Sequence, residues 1–448
     1  MSVQSTESLQ KMYESLAEKD KRHFMHPTTS LKQQQQQGPG LIFTEGKGIY
    51  LKDIRGEEYI DSLSSLWNVN IGHGRKELGE AAMAQMQKLA FSSTFATNSH
   101  EPVIELAEKV AQMAPGDLTM TFFTSGGSEA NDTAFKTVRY YWQLKGQPEK
   151  KKIISRKKSY HGVAVGATSA TGLPAFRSFP SLAPDFYYVD STIESLKEMI
   201  EREGAETIAA FISEPVQGSG GVNPPPENYF QQVRDICDEH NILFIADEVI
   251  TGFGRTGKTF GMEHFGVTPD VMCMAKGITS GYAPLGGMVI SEKLRDELID
   301  LSDGAYMHGY TYSGHPMCCA VALKNLEIIE QEGLVENVRR MGEEIEKGFH
   351  WLQERHEGIG NIRGIGLLRA FEIFEDKESK KRYEDPVSPK VAEEAMKRNM
   401  VGRSIIYEGQ DTIALAPPFC ITKEEVEKVI TILDECLTAV KRNGNLSS

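Results

Sequence analysis

The sequence predicts an α/β fold: a large doubly wound, mixed but mostly parallel sheet and a smaller α+β domain. Two observations predict it. From about residue 120 onward, short β-rich runs alternate with amphipathic helical patterns, which is typical of a parallel sheet flanked by helices. After about residue 330 this alternation gives way to two long helical patterns separated by short strands. A chain of 448 residues is also long enough for more than one core.

The individual elements follow in chain order. Residues 49–61 resemble a hairpin that packs beside the C-terminal part, so both termini are expected to build the small domain. We predict an N-terminal segment of that domain at 1–75, the large domain at 76–330, and the rest of the small domain at 331–448. The glutamine run 33–37 is interpreted as a solvated connector. The predicted strands of the large domain are 120–124, 152–155, 186–189, 207–213, 241–249, 270–275 and 285–291.

Composition narrows the class of function. The chain has 49 basic and 63 acidic side chains, a net charge of −14, which disfavours nucleic acids and anionic membrane surfaces as partners. Its six cysteines show no CxxC spacing and are expected to be free thiols of a reducing compartment. The N-terminus lacks an apolar signal core, and no metal-ligating residues are assigned. We therefore expect a cytoplasmic protein that acts on small molecules.

One motif is misleading. Residues 252–259, GFGRTGKT, match the nucleotide-binding loop of P-loop NTPases, with Lys258 as its lysine. In that loop the Lys-Thr pair opens a long helix, but here glycines and Pro269 follow within a few residues. Asp247 also precedes the motif, whereas the acidic strand should be a separate, later one. A P-loop NTPase is therefore a remote alternative.

A second glycine-rich turn is a better phosphate site. After the strand at 120–124, Gly126 and Gly127 lead into Ser128 and a helical pattern. Glycine lets the backbone approach an anion closely, and Ser128 adds a hydroxyl to the free amides of a helix N-terminus. The sequence predicts that one phosphate binds there, with a plain glycine turn and serine cap as the alternative.

Ionisable residues follow three of the predicted strands: Glu214, Asp247 and Lys276. The carboxyl ends of parallel strands meet at one crevice, although each residue alone could be a solvated strand end. Together with the phosphate site they suit pyridoxal phosphate, whose ring nitrogen needs an anion and whose aldehyde needs an amine. We expect burial to keep the Lys276 amine neutral and reactive, with Tyr160 stacked on one ring face and Val249 on the other.

The chain resembles the class III (fold-type I) pyridoxal-phosphate-dependent aminotransferases over essentially its whole length. Six motifs carry the resemblance in the family's order: SGGSEAND, SYHG, SEPVQGSGG, ADEVITGFGRTG, AKGITSGYAPLGG and HGYTYSGHP. It implies catalytic roles for Lys276, as the Schiff-base lysine, and for Asp247, as the partner of the pyridine nitrogen. Thr311 is implied to reach the phosphate of the neighbouring subunit's cofactor, hence a homodimer with shared sites, with a tetramer left open. The other implied cofactor-binding residues are Gly126, Gly127, Ser128, Tyr160, Glu214 and Val249.

Within the family, SLSSLWNVNIGHGRKEL resembles the omega-amine:pyruvate branch, which implies that Leu66 and Trp67 line the substrate pocket. For Trp67, a packed aromatic at the domain seam is the alternative. The family's carboxylate-binding arginine is matched by Arg403 only if residues are inserted, and an ungapped match falls on Tyr407.

The resemblance implies a ping-pong transfer of an amino group from a primary amine or omega-amino acid to a keto acid, with pyruvate expected. An aminomutase of the same fold would share every cofactor-binding residue, so it competes with this interpretation. A regulator that binds the cofactor without catalysis is a further competing interpretation.

Overall fold

The computed structural model of the protein describes residues 3–178 and 181–442. Within these ranges the strands are β1 Phe43–Lys47, β2 Tyr50–Asp53, β3 Glu58–Asp61, β4 Leu118–Thr124, β5 Lys152–Arg156, β6 Phe186–Val189, β7 Ile208–Ser213, β8 Leu243–Asp247, β9 Val271–Met274, β10 Gly286–Ser291, β11 Ile359–Ile365, β12 Leu368–Ile373, β13 Met400–Val401, β14 Arg403–Tyr407 and β15 Gln410–Leu415. The helices are α1 Val3–His23, α2 Leu31–Gln37, α3 Ser64–Trp67, α4 Lys76–Lys88, α5 Glu101–Met113, α6 Gly127–Leu144, α7 Val165–Ala170, α8 Ile193–Glu203, α9 Tyr229–Glu239, α10 Glu292–Leu301, α11 Pro316–Gln331, α12 Leu334–Arg355, α13 Ser388–Lys397 and α14 Lys423–Arg442.

The largest sheet has seven strands in the order β4-β10-β9-β8-β7-β5-β6. Strand β10 pairs antiparallel with both β4 and β9, and the remaining pairs are parallel. The carboxyl ends of the six strands other than β10 therefore lie at the same edge. Strands β7 and β9 are buried at every residue, which explains their continuous apolar runs. The predicted mixed, mostly parallel sheet is confirmed.

Helices cover both faces of this sheet. Side chains of adjacent strand residues point to opposite faces, so Phe211 packs with α8 and α9 whereas Ile212 packs with α6. Because both faces are covered, polar side chains of the large sheet are confined mainly to its edges and strand ends. This doubly wound arrangement leaves the carboxyl edge as the place where a ligand can approach.

Two four-stranded sheets lie outside the large one, in the orders β1-β2-β3-β13 and β11-β12-β15-β14. Met400 of β13 pairs with Ile60 of β3, so the N-terminal hairpin and the C-terminal region share a sheet. The domain boundaries themselves stay a prediction. The start of α14 has the expected capping box, because the N–H of Thr422 donates to Glu425 at 2.9 Å and the N–H of Glu425 to the Thr422 hydroxyl at 3.3 Å.

The glutamine run is mostly exposed, as expected of a solvated segment, but the interpretation of it as a connector is wrong. Residues 31–37 form α2, capped by Ser30, and Gln34 is buried with its amide donating to the Phe24 carbonyl oxygen at 2.6 Å. All six cysteines are free, and five of them are buried. In the described part of the chain, no helix is both long and apolar enough to cross a membrane.

Candidate active site

Four parallel strands deliver polar side chains to the carboxyl edge of the large sheet. Asp247 ends β8, Glu214 follows β7, Lys276 follows β9, and Tyr160 and His161 come after β5. Two hydrogen bonds connect these strand ends: His161 Nδ1 donates to Asp247 Oδ2 at 2.7 Å, and the Tyr160 N–H donates to Glu214 Oε2 at 3.1 Å. We call the following residues the strand-end cluster: Asn131, His161, Glu214, Asp247 and Lys276.

Asp247 is the centre of the cluster. Its side chain is buried, and Oδ2 accepts hydrogen bonds from His161 Nδ1 and from Asn131 Nδ2, the latter at 2.8 Å. Its Oδ1 accepts the N–H of Val249 at 3.1 Å. An ionised carboxylate only accepts hydrogen bonds, so all three partners donate and hold it in one orientation. The Asn131 amide also donates to the His161 carbonyl oxygen at 2.7 Å, which ties α6 to the segment after β5.

Lys276 has an unusual backbone and an unusual amine. Its φ of +47° lies in the left-handed region, which residues other than glycine rarely adopt. Burial lowers the pKa of the amine to about 8, although the negative charges of Asp247 and Glu214 act in the opposite direction. Near pH 8 a large fraction of the amine is therefore neutral and able to attack a carbonyl carbon. Backbone strain and a shifted pKa together are typical of a functional residue.

Glu214, which directly follows β7, belongs to the same site. Burial raises the pKa of its carboxyl to about 7, and the charge of Asp247 adds to the rise whereas His161 opposes it. Its Oε1 accepts the N–H of Gly218 at 3.1 Å, so one carboxyl holds both the 214–218 turn and Tyr160. The Tyr160 ring meets Phe176 edge to face, with the ring centres 5.1 Å apart.

The turn after β4 forms a cradle for an anion. Helix α6 starts at Gly127 and is 18 residues long, so its first-turn amides have no acceptor within the helix. A Cβ on Gly127 would lie 2.9 Å from Cγ1 of Val249, and one on Gly162 would collide with the Ser128 hydroxyl. Glycine at both positions therefore allows three chain segments to meet at the helix N-terminus. Free amides, the helix dipole and the Ser128 hydroxyl suit a phosphate.

The residues of this edge fit pyridoxal phosphate. The cradle suits its phosphate, the Asp247 carboxylate suits a protonated ring nitrogen, and the Lys276 amine suits its aldehyde. Two polar atoms of the cluster, Nε2 of His161 and Oδ1 of Asn131, are buried without a partner among the described residues. Buried polar atoms are rarely left unpaired, which is consistent with a site that completes its contacts when a ligand binds.

Three of the predicted site residues are exposed, and we call them the exposed trio: Leu66, Thr311 and Arg403. The side chain of Leu66 in α3 is 60% exposed, Thr311 is exposed in the segment between α10 and α11, and Arg403 is exposed at the start of β14. Within the described ranges neither the Thr311 hydroxyl nor the Arg403 guanidinium has a hydrogen-bond partner.

Trp67 differs from its neighbour Leu66, because only 3% of it is exposed. It packs in an apolar cluster with Val216, Ile250 and Ile405, which come from three distant segments. This position agrees with the interpretation of a packed aromatic at a seam, and the assignment of Trp67 to the substrate pocket stays a prediction. Tyr407, the ungapped match to the family's arginine, is buried.

The GFGRTGKT segment does not form a nucleotide-binding loop. Lys258 is exposed in a series of turns, and the next element is a short 3-10 turn over Gly261–His264 instead of a long helix. A Cβ on Gly254 would lie 2.9 Å from the Phe419 ring, and one on Gly257 would lie 2.7 Å from Arg339. The glycines therefore accommodate neighbouring side chains, and the loop offers no cradle for a phosphate.

Sequence reasoning assigned no role to His161 or Asn131. His161 directly follows Tyr160 in the SYHG motif. Asn131 lies four residues after Gly127, so it is one helical turn into α6 on the same side as the first-turn amides. That spacing was the available signal for Asn131, whereas nothing local to the SYHG motif indicates that its histidine reaches Asp247.

Comparison with known proteins agrees with this geometry. Residues 31–437 match the family described as Aminotransferase class-III. The chain is 39% identical to a putrescine–pyruvate aminotransferase of Pseudomonas aeruginosa, over 93% of this chain and 94% of that protein.

Among solved structures, a transaminase from the marine bacterium Virgibacillus is 50% identical with a TM-score of 0.94, covering 96% of this chain and 99% of that one. The omega transaminase of Pseudomonas jessenii in complex with PMP, the pyridoxamine form of the cofactor, is 39% identical with a TM-score of 0.92, covering 96% and 99%. The chain therefore belongs to the class III aminotransferases and is a pyridoxal-phosphate-dependent transaminase.

Proposed function

We propose that this aminotransferase moves the amino group of a primary amine or an omega-amino acid to a keto acid, with pyruvate as the preferred acceptor. The observation that carries the reaction is the strand-end cluster, in which a low-pKa amine and a triply hydrogen-bonded carboxylate meet at one sheet edge. The choice of donor and acceptor is supported by the putrescine–pyruvate activity named for the Pseudomonas aeruginosa relative.

In the proposed reaction, the residues of the chain have separate roles. The cradle of Gly126, Gly127 and Ser128 holds the phosphate, and Asp247 holds the ring nitrogen in its protonated form. When bound, pyridoxal phosphate supplies an electrophilic carbon and an electron sink. The neutral Nζ of Lys276 accepts a proton from the substrate carbon that bears the amine, and the same Nζ later returns a proton.

The remaining assigned residues shape the site. Tyr160 and Val249 would cover the two faces of the cofactor ring, and Glu214 holds the Tyr160 backbone by accepting its N–H. Leu66 and Trp67 contribute to the substrate pocket, and Arg403 binds the carboxylate of a keto acid or an omega-amino acid.

The proposal includes a homodimer in which Thr311 of one subunit completes the cofactor site of the other. Exposed aromatic side chains around Thr311 support it: the rings of Phe91 and Tyr312 lie 6.1 Å apart, and Phe95 contacts Gly309. An exposed apolar surface of this kind is typical of a protein interface. The six free cysteines support a reducing compartment such as the cytoplasm.

The test is a screen of amine donors against pyruvate and 2-oxoglutarate, with the new amino acid and the released carbonyl product both quantified. We expect turnover with putrescine and pyruvate, and Lys276→Ala should abolish turnover and the visible absorption band of the loaded enzyme. A wild-type enzyme that turns over only 2-oxoglutarate would contradict the acceptor, and an unchanged band in Lys276→Ala would contradict the role of Lys276.

The same assay distinguishes the competing functions by the products that are formed. An aminomutase would isomerise one substrate without releasing a carbonyl product, and a non-catalytic regulator would bind the cofactor with no turnover. Lys258→Ala is the matched lysine control, because this exposed side chain lies outside the strand-end cluster. It should keep full activity, whereas a P-loop NTPase would lose nucleotide binding.

A further inference from the structure

The loop of residues 252–257 contains a buried arginine to which the proposed reaction assigns no role. Arg255 is 0% exposed, and its guanidinium stacks on the Phe419 ring at 4.7 Å. Four of its five N–H groups donate hydrogen bonds. The acceptors are the carbonyl oxygens of Leu367 at 3.1 Å and Pro417 at 2.6 Å for Nη1, and Ser64 Oγ at 2.9 Å and Asn70 Oδ1 at 2.8 Å for Nη2.

Ser64 and Asn70 flank the turn that carries Leu66 and Trp67. This turn is strained, because Ser64, Ser65 and Trp67 have φ values of 50°, 57° and 64°. Such a conformation persists only where the surroundings hold it firmly. The Ser64 hydroxyl donates to the Ala416 carbonyl oxygen at 2.8 Å and accepts from Arg255, so the arginine is one of the contacts that hold the turn.

Asn70 connects the same guanidinium to the residue after Lys276. A Cβ on Gly277 would lie 2.5 Å from Asn70 Nδ2 and 3.3 Å from the Gly252 carbonyl oxygen. Asn70 and the 252–257 loop therefore both pack against Gly277. The N–H of Ile71 also donates to the Ser280 hydroxyl at 3.3 Å. One guanidinium thus links the strained turn, the C-terminal segments and the end of β9.

We infer that Arg255 is a positioning residue for substrate selection: it fixes the Ser64–Trp67 turn relative to Lys276 and so sets the shape of the amine pocket. The inference rests on the proposed function, which places Leu66 and Trp67 at that pocket. Arginine is required because its planar fork presents donors to acceptors on two sides at once. Lysine has three donors on one atom and cannot reach all four acceptors.

The test compares Arg255→Lys with Lys258→Ala, a substitution in the same motif at an exposed side chain. Both holoenzymes are assayed with pyruvate and two donors, the compact putrescine and the bulky 1-phenylethylamine. In Arg255→Lys the ratio of kcat/KM for the two donors should change by about tenfold, the scale on which pocket shape discriminates between substrates. The change should appear in KM, with kcat for putrescine within about threefold of the wild-type value. Lys258→Ala should leave the ratio unchanged.

Intrinsic fluorescence gives a readout that does not depend on activity. The chain has three tryptophans, and Trp67 lies in the turn that Arg255 holds. Arg255→Lys should shift the emission maximum, and the shift should vanish when Trp67→Phe is combined with it. Ser64→Ala removes one of the four acceptors with a smaller change to the core, and it should alter the donor ratio in the same direction.

An unchanged donor ratio overturns the inference, and so does an equal loss of kcat for both donors at constant KM. If Arg255→Lys does not fold, Ser64→Ala decides by the same criteria. If the wild-type protein transfers no amino group, the proposed function has failed. The emission of Trp67 then decides alone whether Arg255 holds the turn.

Discussion

The strand-end cluster and the exposed trio differ in how their side chains are held. Residues of the cluster stand at the ends of neighbouring strands of one sheet or on its flanking helix, and Asp247 alone accepts three hydrogen bonds. Leu66, Thr311 and Arg403 come from three separate segments, and their side chains are exposed. The residues assigned to the chemistry are therefore positioned by one sheet. The trio, for which we propose contacts with the substrate or with a neighbouring subunit's cofactor, has no such common support.

The largest expected effect lies in the cluster. Asp247→Asn keeps the shape of the side chain but removes its charge, so the ring nitrogen loses its anionic partner. We expect kcat to fall by about 10²- to 10³-fold, as for the loss of a preorganised electrostatic contact. Steady-state kinetics with a saturating donor measures it. Asp190→Asn is the matched control, because Asp190 also follows a strand of the sheet but is exposed, with its carboxylate 2.9 Å from Lys157. Equal losses in both variants would contradict the special role of Asp247.

A substitution at Thr311 tests the proposed contact between this residue and the cofactor of a neighbouring subunit. Thr311→Ala removes one hydroxyl that we propose to bind the neighbouring subunit's cofactor phosphate. Loss of one hydrogen bond to a charged group should raise the Kd for pyridoxal phosphate by about tenfold or more. Fluorescence titration of the apo-protein measures the Kd, and Thr431→Ala, an exposed threonine on α14, is the control.

A mixing experiment sharpens the same comparison. Unfolding and refolding Lys276→Ala together with Thr311→Ala should form mixed dimers in which one of the two sites has both wild-type residues. At a pyridoxal phosphate concentration below the Kd of Thr311→Ala, activity above that of the separate variants is expected if the sites are shared. Mixed samples no more active than the separate variants would place Thr311 outside the neighbouring site.

The pH dependence reports on the cluster alone. Because the pKa of Lys276 is lowered to about 8, most of the amine is protonated at pH 7 and most is neutral at pH 9. The rate at which the apo-protein takes up pyridoxal phosphate should therefore rise by nearly tenfold, on the order of the change in neutral amine, between these pH values. Stopped-flow absorbance measures it.

Glu214 should shift this profile in a defined direction. Its negative charge raises the pKa of Lys276, so Glu214→Gln should move the midpoint of the profile to lower pH. The exposed Glu194 on α8 provides the control, because Glu194→Gln should leave the midpoint unchanged. A midpoint that stays in place in Glu214→Gln would mean that the two groups are not coupled.

The smallest expected effect concerns Arg403. Its exposed guanidinium is proposed to bind a substrate carboxylate, and Arg403→Ala should raise KM for pyruvate by about five- to tenfold, corresponding to one exposed charged contact. KM for putrescine, which has no carboxylate, should not change. If Tyr407→Phe affects KM for pyruvate and Arg403→Ala does not, the ungapped match identifies the carboxylate-binding position.

Much of the fold was predictable because its signals are local. The apolar runs of β7 and β9, the alternation with amphipathic helices and the capping box at Thr422 each depend on a few consecutive residues. The glutamine run was misinterpreted although Ser30 and Gly38 on either side of it are local signals for a helix. Only the burial of Gln34 against the Phe24 carbonyl oxygen depends on tertiary packing.

The sequence by itself determined the sheet and the residues at its carboxyl edge, because a parallel strand followed by Lys276, Asp247 or Glu214 can only present that residue at the shared edge. The tertiary structure decided which side chains form hydrogen bonds with one another. His161 reaches Asp247 across 86 residues of chain, and Arg255 reaches Ser64 across 191. It also decided that Trp67 is buried while Leu66 beside it is exposed. Periodicity specifies which face of an element is apolar, but which distant side chain meets a given donor is set only when the elements pack together.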